Sequence, residues 1–255
     1  MFSSSYVEGR LMFGENPEPI DSDGVYRINS DGTNFQAIKT NREAWGISNV
    51  RPDWFPNTNR IIFGFNGGLW QMDENGDVLQ VLIDSLFGKF IDWNTTGEQL
   101  AYEGTSSDRY GLWIRCLNDS PERFIASGIM PSWGRKDSSI VYIGLKENLY
   151  CYSLADSSIK QLTDLTDSFL DDYSIRYPVL SPDGKTVLLS LQKNTQMSVW
   201  KFEIDTGKFE RLILDARFPA WKPDGKQIVY TNPRAGNGFL WIYNIESANK
   251  WQLTF

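Results

Sequence analysis

One motif recurs along the chain about every 40 residues, and it constrains the fold more than any other feature. Each copy is a short apolar segment that ends at a large apolar residue, here called the anchor. The copies read RPDW, FIDW, MPSW, YPVL and FPAW. The anchors are Trp54, Trp93, Trp133, Leu180 and Trp221, at intervals of 39, 40, 47 and 41 residues. Self-similarity at such a period predicts an array of structural repeats.

Each repeat contains four predicted strands. A polar turn follows the anchor, then an apolar triplet such as IVY at 228–230, a variable loop, an aromatic strand such as LWIY, and a short last strand. Alternation of apolar and polar residues favours strands, and no segment has a convincing helical pattern. Residues 2–40 carry a degenerate sixth copy, with FSSS at the anchor. We therefore predict an all-β protein: a six-bladed β-propeller with four antiparallel strands per blade.

The repeats fill the chain, so we predict a single propeller domain over residues 1–255. The chain starts in the first strand of one blade and ends in the last strand of another, so no strand needs to be exchanged between blades. The anchors are interpreted as packing residues between neighbouring sheets. The approximate blades are 1–49, 50–88, 89–128, 129–173, 174–215 and 216–255.

Composition excludes several kinds of function. The formal net charge of −7 disfavours nonspecific binding to nucleic acid. No apolar run approaches the ~18 residues of a membrane span, and the first residues lack the pattern of a signal peptide. The chain has two cysteines and no histidine, which removes Ser-His and Cys-His nucleophile arrangements and the commonest metal ligand. We expect no catalytic residues, cofactor or metal.

The segments YPVLSPDGKTVLLS and FPAWKPDGKQIVYT resemble the WD40-like PD40 repeat of TolB-type propellers. The resemblance covers the whole chain in its period, although only residues 182–184 and 223–225 keep the Pro-Asp-Gly turn. The separate N-terminal domain of TolB has no counterpart here, so the chain is not expected to be TolB itself. The resemblance implies a binding scaffold for a protein or a small ligand, often in the bacterial cell envelope.

Basic residues stand close to the anchors in several repeats. Four residues before each anchor the chain has Val50, Lys89, Ile129, Arg176 and Arg217, and Arg51 follows Val50. Propeller symmetry predicts that Arg51, Lys89, Arg176 and Arg217 line the mouth of the central channel, on the face of the variable loops. Such a mouth would accept an acidic small ligand or an acidic side chain of a partner protein. The alternative is that these residues pair with aspartates of the inserted loop at 164–174 or are simply solvated.

Two further functions remain open. Asp53 and Asp92 immediately precede their anchors, and paired channel carboxylates could serve a carbohydrate-active enzyme. Alternatively, the chain could be the gating propeller of a prolyl-oligopeptidase-like peptidase. The acidic insertion lacks the spacing of an EF-hand loop, so a solvated loop is favoured over a Ca²⁺ site. We expect a monomer whose partner is an unidentified protein or an acidic small ligand.

Overall fold

The computed structural model describes residues 5–7, 10–13, 24–40, 52–55, 58–65, 67–84, 88–118, 121–134, 136–165, 172–232 and 239–254. For residues 5–7, 10–13, 24, 39, 40, 65, 88 and 89 only the backbone is described. This part of the chain forms 24 strands and one short 3-10 turn, Leu145–Glu147. It includes no helix long and apolar enough to cross a membrane.

The strands form six four-stranded sheets, numbered here in chain order. Sheet 1 contains β1 (Ser5–Val7), β2 (Arg10–Phe13), β3 (Gly24–Asn29) and β4 (Gln36–Thr40). Sheet 2 contains β5 (Asp53–Trp54), β6 (Ile61–Phe65), β7 (Gly68–Met72) and β8 (Val78–Ile83). Sheet 3 contains β9 (Gly88–Trp93), β10 (Gln99–Ser106), β11 (Arg109–Cys116) and β12 (Arg123–Ala126).

The remaining sheets follow the same plan. Sheet 4 contains β13 (Ile129–Trp133), β14 (Ser139–Ile143), β15 (Leu149–Ser153) and β16 (Ile159–Gln161). Sheet 5 contains β17 (Ser174–Leu180), β18 (Thr186–Lys193), β19 (Gln196–Glu203) and β20 (Lys208–Leu214). Sheet 6 contains β21 (Arg217–Trp221), β22 (Gln227–Asn232), β23 (Phe239–Asn244) and β24 (Lys250–Gln252).

Each sheet is built from four consecutive strands, and successive strands are its hydrogen-bonded neighbours. The strand pairs are antiparallel; for example, Ser139 to Ile143 of β14 pair in register with Ser153 to Leu149 of β15. In sheet 1, β1 pairs with β2, with Tyr6 opposite Leu11. The predicted four-stranded antiparallel unit is confirmed. The described strands of each sheet all come from one repeat.

The predicted six-bladed propeller requires a correction in its count. Sheets 2 to 6 each have a first strand that ends at a buried anchor, and the structure supports five blades of this kind, not six. Sheet 1 also has four strands, but FSSS stands where the other repeats have a Trp or Leu, and the side chains of β1 and β2 lie outside the described ones. The repeat period correctly predicts the position of sheet 1 in the chain. Sheet 1 nevertheless lacks the buried anchor that characterises the blades formed by the other five sheets.

The chain divides into two compact units, Met1–Phe87 with Ala220–Phe255, and Gly88–Pro219. In the first unit, Trp54 packs with residues of sheets 1 and 2, including Val25 and Phe63. A second cluster joins Tyr26 of sheet 1 to Ile242 of sheet 6. The first and last sheets of the chain therefore share an apolar core without sharing a strand.

In the second unit, apolar clusters fill the spaces between consecutive sheets. Trp133 packs with Leu112 of sheet 3 and Ile140 of sheet 4. Leu180 packs with Val141 of sheet 4 and other residues of sheet 5. The anchors are almost fully buried; the exposed fractions are 4% for Trp54, 6% for Trp93, 5% for Trp133, 5% for Leu180 and 8% for Trp221. Burial of such large side chains is the main stabilising feature that the repeat supplies.

The sequence pattern predicts long variable loops after four of the apolar triplets, at 14–24, 103–111, 190–198 and 231–238. Two of them are instead tight hairpins. The segment 103–111 belongs to β10 and β11, which are joined by Ser107 and Asp108 with φ of 48° and 60°. The segment 190–198 belongs to β18 and β19, joined at Asn194, whose φ is 54°. The consecutive positive φ values of Ser107 and Asp108 are typical of the two-residue turns that match the twist of paired strands. The polar residues of these two segments lengthen the paired strands instead of forming loops. Residues 14–23 and 233–238 of the other two loops lie outside the described residues.

Candidate functional site

In the first strands of four sheets, the residue three positions before the anchor has a positive φ. The residues at this position are Phe90, Met130, Tyr177 and Phe218, here called the bulge cluster. Their φ values are 47°, 55°, 52° and 53°. The pairing of β9, β13 and β17 with the next strand shifts register at this position. Positive φ is costly for large side chains and persists only where the surroundings enforce it, often at functional sites.

Hydrogen bonds from neighbouring sheets hold the bulges. The Met130 N–H donates to Glu103 Oε2 across 3.1 Å, and the Phe218 N–H donates to Ser190 Oγ across 3.2 Å. Glu103 and Ser190 occupy the same place in their repeats, directly after the apolar triplet. A bulge frees a backbone N–H from the strand ladder, and a buried N–H requires another acceptor. A side chain of the preceding sheet provides that acceptor in both cases.

The bulges bring aromatic side chains of different sheets together within the second unit. The ring centroids of Phe90 and Tyr177 lie 6.2 Å apart, although β9 and β17 belong to sheets 3 and 5. Tyr177 and Phe218 form an edge-to-face pair with centroids 4.4 Å apart. The Tyr177 N–H lies 3.4 Å from Met130 Sδ. Phe218 is buried, and the other three side chains are partly exposed. The cluster is therefore a compact, partly accessible apolar surface at the first-strand ends.

Glu103 connects this surface to the hairpin of sheet 3. The carboxylate is buried and accepts a hydrogen bond from the Tyr110 hydroxyl in addition to the one from Met130. Burial, the hydrogen bond to Glu103 and the charge of Glu103 raise the pKa of Tyr110 to about 12. The phenol therefore remains protonated and donates to the carboxylate at neutral pH.

Arg176 is one residue before the bulge of β17. Its Nη2 contacts Glu147 Oε1 across 2.9 Å, and its Nη1 donates to the Ile175 carbonyl oxygen. The exposed fractions of the Arg176 and Glu147 side chains are 26% and 42%. Burial pushes the pKa of Glu147 upward, but hydrogen bonds from Ser174 and Arg176 and the charge of Arg176 outweigh it and lower the pKa. The observed partner of Arg176 is therefore Glu147, which lies outside the acidic insertion that was the expected partner.

Of the other predicted basic residues, the structure describes Arg217 in full, only the backbone of Lys89, and no part of Arg51. Arg217 precedes the bulge of β21, and its guanidinium carbon lies 5.1 Å from the centroid of the Phe218 ring. Lys89 precedes the bulge of β9 and is opposite Glu103 in the backbone register, but its side chain lies outside the described part of the chain. Arg51 also lies outside the described residues. The structure thus places Arg176 and Arg217 at equivalent positions next to bulge residues.

Asp92 has a role that its position in the repeat did not reveal. Its Oδ1 accepts the Trp93 N–H across 2.9 Å, and its Oδ2 accepts the Trp133 N–H of sheet 4 across 2.7 Å. Ser132 makes the equivalent contact with Leu180 of sheet 5, at 3.2 Å. Asp53 accepts the N–H of the next residue, Trp54, across 2.8 Å. The residue before the anchor is thus a hydrogen-bond acceptor in three repeats, and in two of these it joins neighbouring sheets.

The acidic insertion is described only at its ends. Asp172 forms an ion pair with Lys193 across 2.9 Å, whereas residues 166–171, including Asp167 and Asp171, lie outside the described part. Cys116 and Cys151 are free thiols, and burial raises the pKa of Cys151. Among the described residues, no group of three or more acidic or cysteine side chains is arranged to hold a metal ion.

The bulge residues were the main feature that sequence reasoning missed. Their signal was available, because an aromatic residue stands three positions before the anchor in three repeats. The repeat pattern predicts a channel position for the neighbouring basic residues but gives no role to these aromatic residues. A strand with a regular pleat would place adjacent side chains on opposite faces, so the bulge had to be known before both could be assigned to one region.

No protein-family model matches the chain, and no curated protein matches it by sequence. Its structure is similar to that of TolB from Acinetobacter baumannii, with a TM-score of 0.78, 17% identity, and coverage of 95% of this chain and 62% of TolB. A protein assigned as TolB from Agrobacterium tumefaciens gives a TM-score of 0.70 and 16% identity, with coverage of 86% and 84%. An oligogalacturonate lyase in complex with manganese gives a TM-score of 0.64 and 13% identity, with coverage of 96% of this chain and 74% of the lyase.

These similarities establish the fold, and the predicted resemblance to TolB-like β-propellers is confirmed at that level. The chain spans about three fifths of the length of the A. baumannii protein. At 13–17% identity, the similarity carries no activity from one protein to another. What this chain binds must be argued from its own residues.

Proposed function

We propose that the chain is a non-catalytic binding scaffold that accepts an acidic group at the bulge cluster. The main support for this proposal is that Arg176 and Arg217 each stand one residue before an aromatic bulge residue. The rings of Tyr177 and Phe218 are in contact, so the two arginines flank a continuous apolar surface. An aromatic surface bordered by guanidinium groups fits a ligand with an apolar body and a carboxylate.

The ion pair of Arg176 is compatible with ligand binding. Glu147 and Arg176 are both partly exposed, and pairs of this kind contribute only about 0–1 kcal/mol to stability. A ligand carboxylate can therefore replace Glu147 as the partner of Arg176 at a small cost. The ligand would be held by the same type of bidentate contact that makes arginine a good carboxylate receptor.

The hydrogen bonds of Asp92 support a scaffold rather than a carboxylate-based enzyme. Both carboxylate oxygens accept backbone N–H groups, one in the same sheet and one in the next. A nucleophile or general base needs a carboxylate that is available to a substrate. The geometry therefore favours a structural role for Asp92.

The test compares two probes with two double variants. The probes are a short acidic peptide containing phenylalanine and an oligogalacturonate, which is chosen because similar structures include an oligogalacturonate lyase. Arg176→Ala with Arg217→Ala should weaken binding on the order of tenfold or more, and added salt should weaken binding to the wild type. The control variant, Lys208→Ala with Lys250→Ala, removes the same amount of charge from the last strands of sheets 5 and 6 and should leave binding unchanged.

Isothermal titration calorimetry gives the affinities, and thermal unfolding verifies that both double variants fold. Equal affinities for the wild type and the arginine double variant would contradict the proposal. Depolymerisation of the oligogalacturonate by the wild type would instead favour the carbohydrate-active alternative.

A further inference from the structure

The outer strand of sheet 2 differs from the outer strands of the other sheets. β8 reads VLQVLI and has no charged residue. The last strands of the other five sheets each contain Lys or Arg: β4 (QAIKT), β12 (RFIA), β16 (IKQ), β20 (KFERLIL) and β24 (KWQ). Charges on outer strands, especially lysine, prevent unintended pairing with other strands. β8 is the outer strand that lacks this protection.

The apolar side chains of β8 are exposed. The exposed fractions of Val78, Leu79 and Val81 are 45%, 47% and 43%. β8 pairs with β7 and is the last strand in the order of its sheet. Its outward backbone N–H and C=O groups therefore have no strand partner within the described residues. This edge offers both backbone hydrogen bonds and apolar contacts to an added strand.

The edge is also held in place before any partner arrives. The β7–β8 turn lies against β4. Gly76 of this turn has a φ of 93°, and a Cβ there would lie 2.5 Å from the carbonyl oxygen of Ile38 in β4. The Arg27–Glu74 ion pair, at 3.3 Å, links the same turn to β3. A fixed edge loses little conformational freedom when a strand is added.

The two ends of β8 are acidic. Asp77 precedes the strand and Asp84 follows it, and both are exposed. Neither forms an ion pair within the part of the chain that the structure describes. The two carboxylates are seven residues apart, about 23 Å in an extended strand. An added strand with a basic residue at each end would place those charges opposite Asp77 and Asp84.

The same charges disfavour a second copy of this chain as the occupant. Antiparallel pairing of two β8 strands, centred between Gln80 and Val81, brings Asp77 opposite Asp84 of the second copy at both ends. Like charges directly opposite each other destabilise a strand pair. We propose that β8 is a docking edge for a partner protein that adds an extended apolar segment with basic residues at both ends.

The first experiment uses the full chain and a capped peptide, Lys-Val-Thr-Val-Thr-Val-Thr-Lys, whose lysines span the same distance as the two aspartates. Hydrogen–deuterium exchange at residues 78–83 should slow several-fold when the peptide is present at about 1 mM. Two control peptides should have little effect: one with aspartates replacing the lysines, and one with proline replacing the central valine. No slowing with the lysine peptide, or equal slowing with either control, would overturn the proposal.

The second experiment reverses the charges of the edge. Asp77→Lys with Asp84→Lys should abolish the effect of the lysine peptide and create one for the aspartate peptide. Asp205→Lys with Asp224→Lys makes the same charge change at exposed turns of other sheets and should behave as the wild type. Unchanged binding of the lysine peptide by the Asp77/Asp84 variant would contradict the proposed charge recognition.

Sedimentation of the wild type and of Val81→Lys tests self-association. We expect both to be monomeric. A wild-type dimer that Val81→Lys dissociates would assign the edge to a second copy and overturn the proposal for a basic partner.

Discussion

The Trp133 backbone N–H donates a hydrogen bond to Asp92 Oδ2, so a carboxylate of sheet 3 holds the first strand of sheet 4. The other oxygen of the same carboxylate accepts the Trp93 N–H. The two residues are 41 positions apart, one repeat along the chain. Asp92 thus couples the anchor of one repeat to the anchor of the next.

We expect Asp92→Asn to lower the free energy of unfolding by about 1–3 kcal/mol. The side-chain amide has one oxygen, so its NH₂ group would face one of the two backbone donors. Urea-induced unfolding measures the change. Asp205→Asn, in an exposed turn, is the matched control and should have a negligible effect. Equal stability of the two variants would show that the bond between sheets contributes nothing.

Trp221→Ala should lower the free energy of unfolding by about 3–5 kcal/mol, because it opens a cavity at a buried anchor. Trp251→Ala is the matched control, since Trp251 is 38% exposed on the outer strand of the same sheet. Chemical denaturation followed by circular dichroism measures both variants. A smaller loss for Trp221→Ala than for Trp251→Ala would contradict the role assigned to the anchor.

Asp108→Gly should raise stability by up to about 1 kcal/mol, because Asp108 has a φ of 60° and glycine adopts this conformation without steric cost. Thr195→Gly is the control, since Thr195 is in the β18–β19 hairpin turn but is not among the residues with positive φ. The control should be neutral or destabilising because glycine adds freedom to the unfolded chain. Thermal unfolding distinguishes the two outcomes, and a gain in both variants would refute the argument from backbone strain.

Arg176→Gln should raise the pKa of Glu147, because the variant loses the charge that helps to lower it. A carboxyl whose pKa is lowered in the folded protein adds stability above its unfolded pKa, and that stability is lost as the pH falls. The stability difference between wild type and variant should therefore be largest near neutral pH and shrink below about pH 4. NMR titration of the Glu147 side chain and unfolding at several pH values provide the measurements. Lys250→Gln, on the outer strand of sheet 6, should leave the Glu147 pKa unchanged.

The sequence by itself determined the repeating unit. The spacing of the anchors, the apolar triplet and the aromatic strand are local patterns, and each follows from side chains that must be buried on a pleated strand. The four strands, their order and the burial of Trp54, Trp93, Trp133, Leu180 and Trp221 were therefore predictable. The count of six blades failed where the pattern is weakest, because FSSS has no anchor side chain to define a core.

Tertiary structure decided the site. The backbone at Met130 and Phe218 is held by acceptors from neighbouring sheets, Glu103 and Ser190, which no local pattern specifies. The pairing of Arg176 with Glu147, and of Asp92 with Trp133, joins residues 29 and 41 positions apart. Charge and repeat position identified which residues could interact, but only the packing of one sheet on the next determined which of them do.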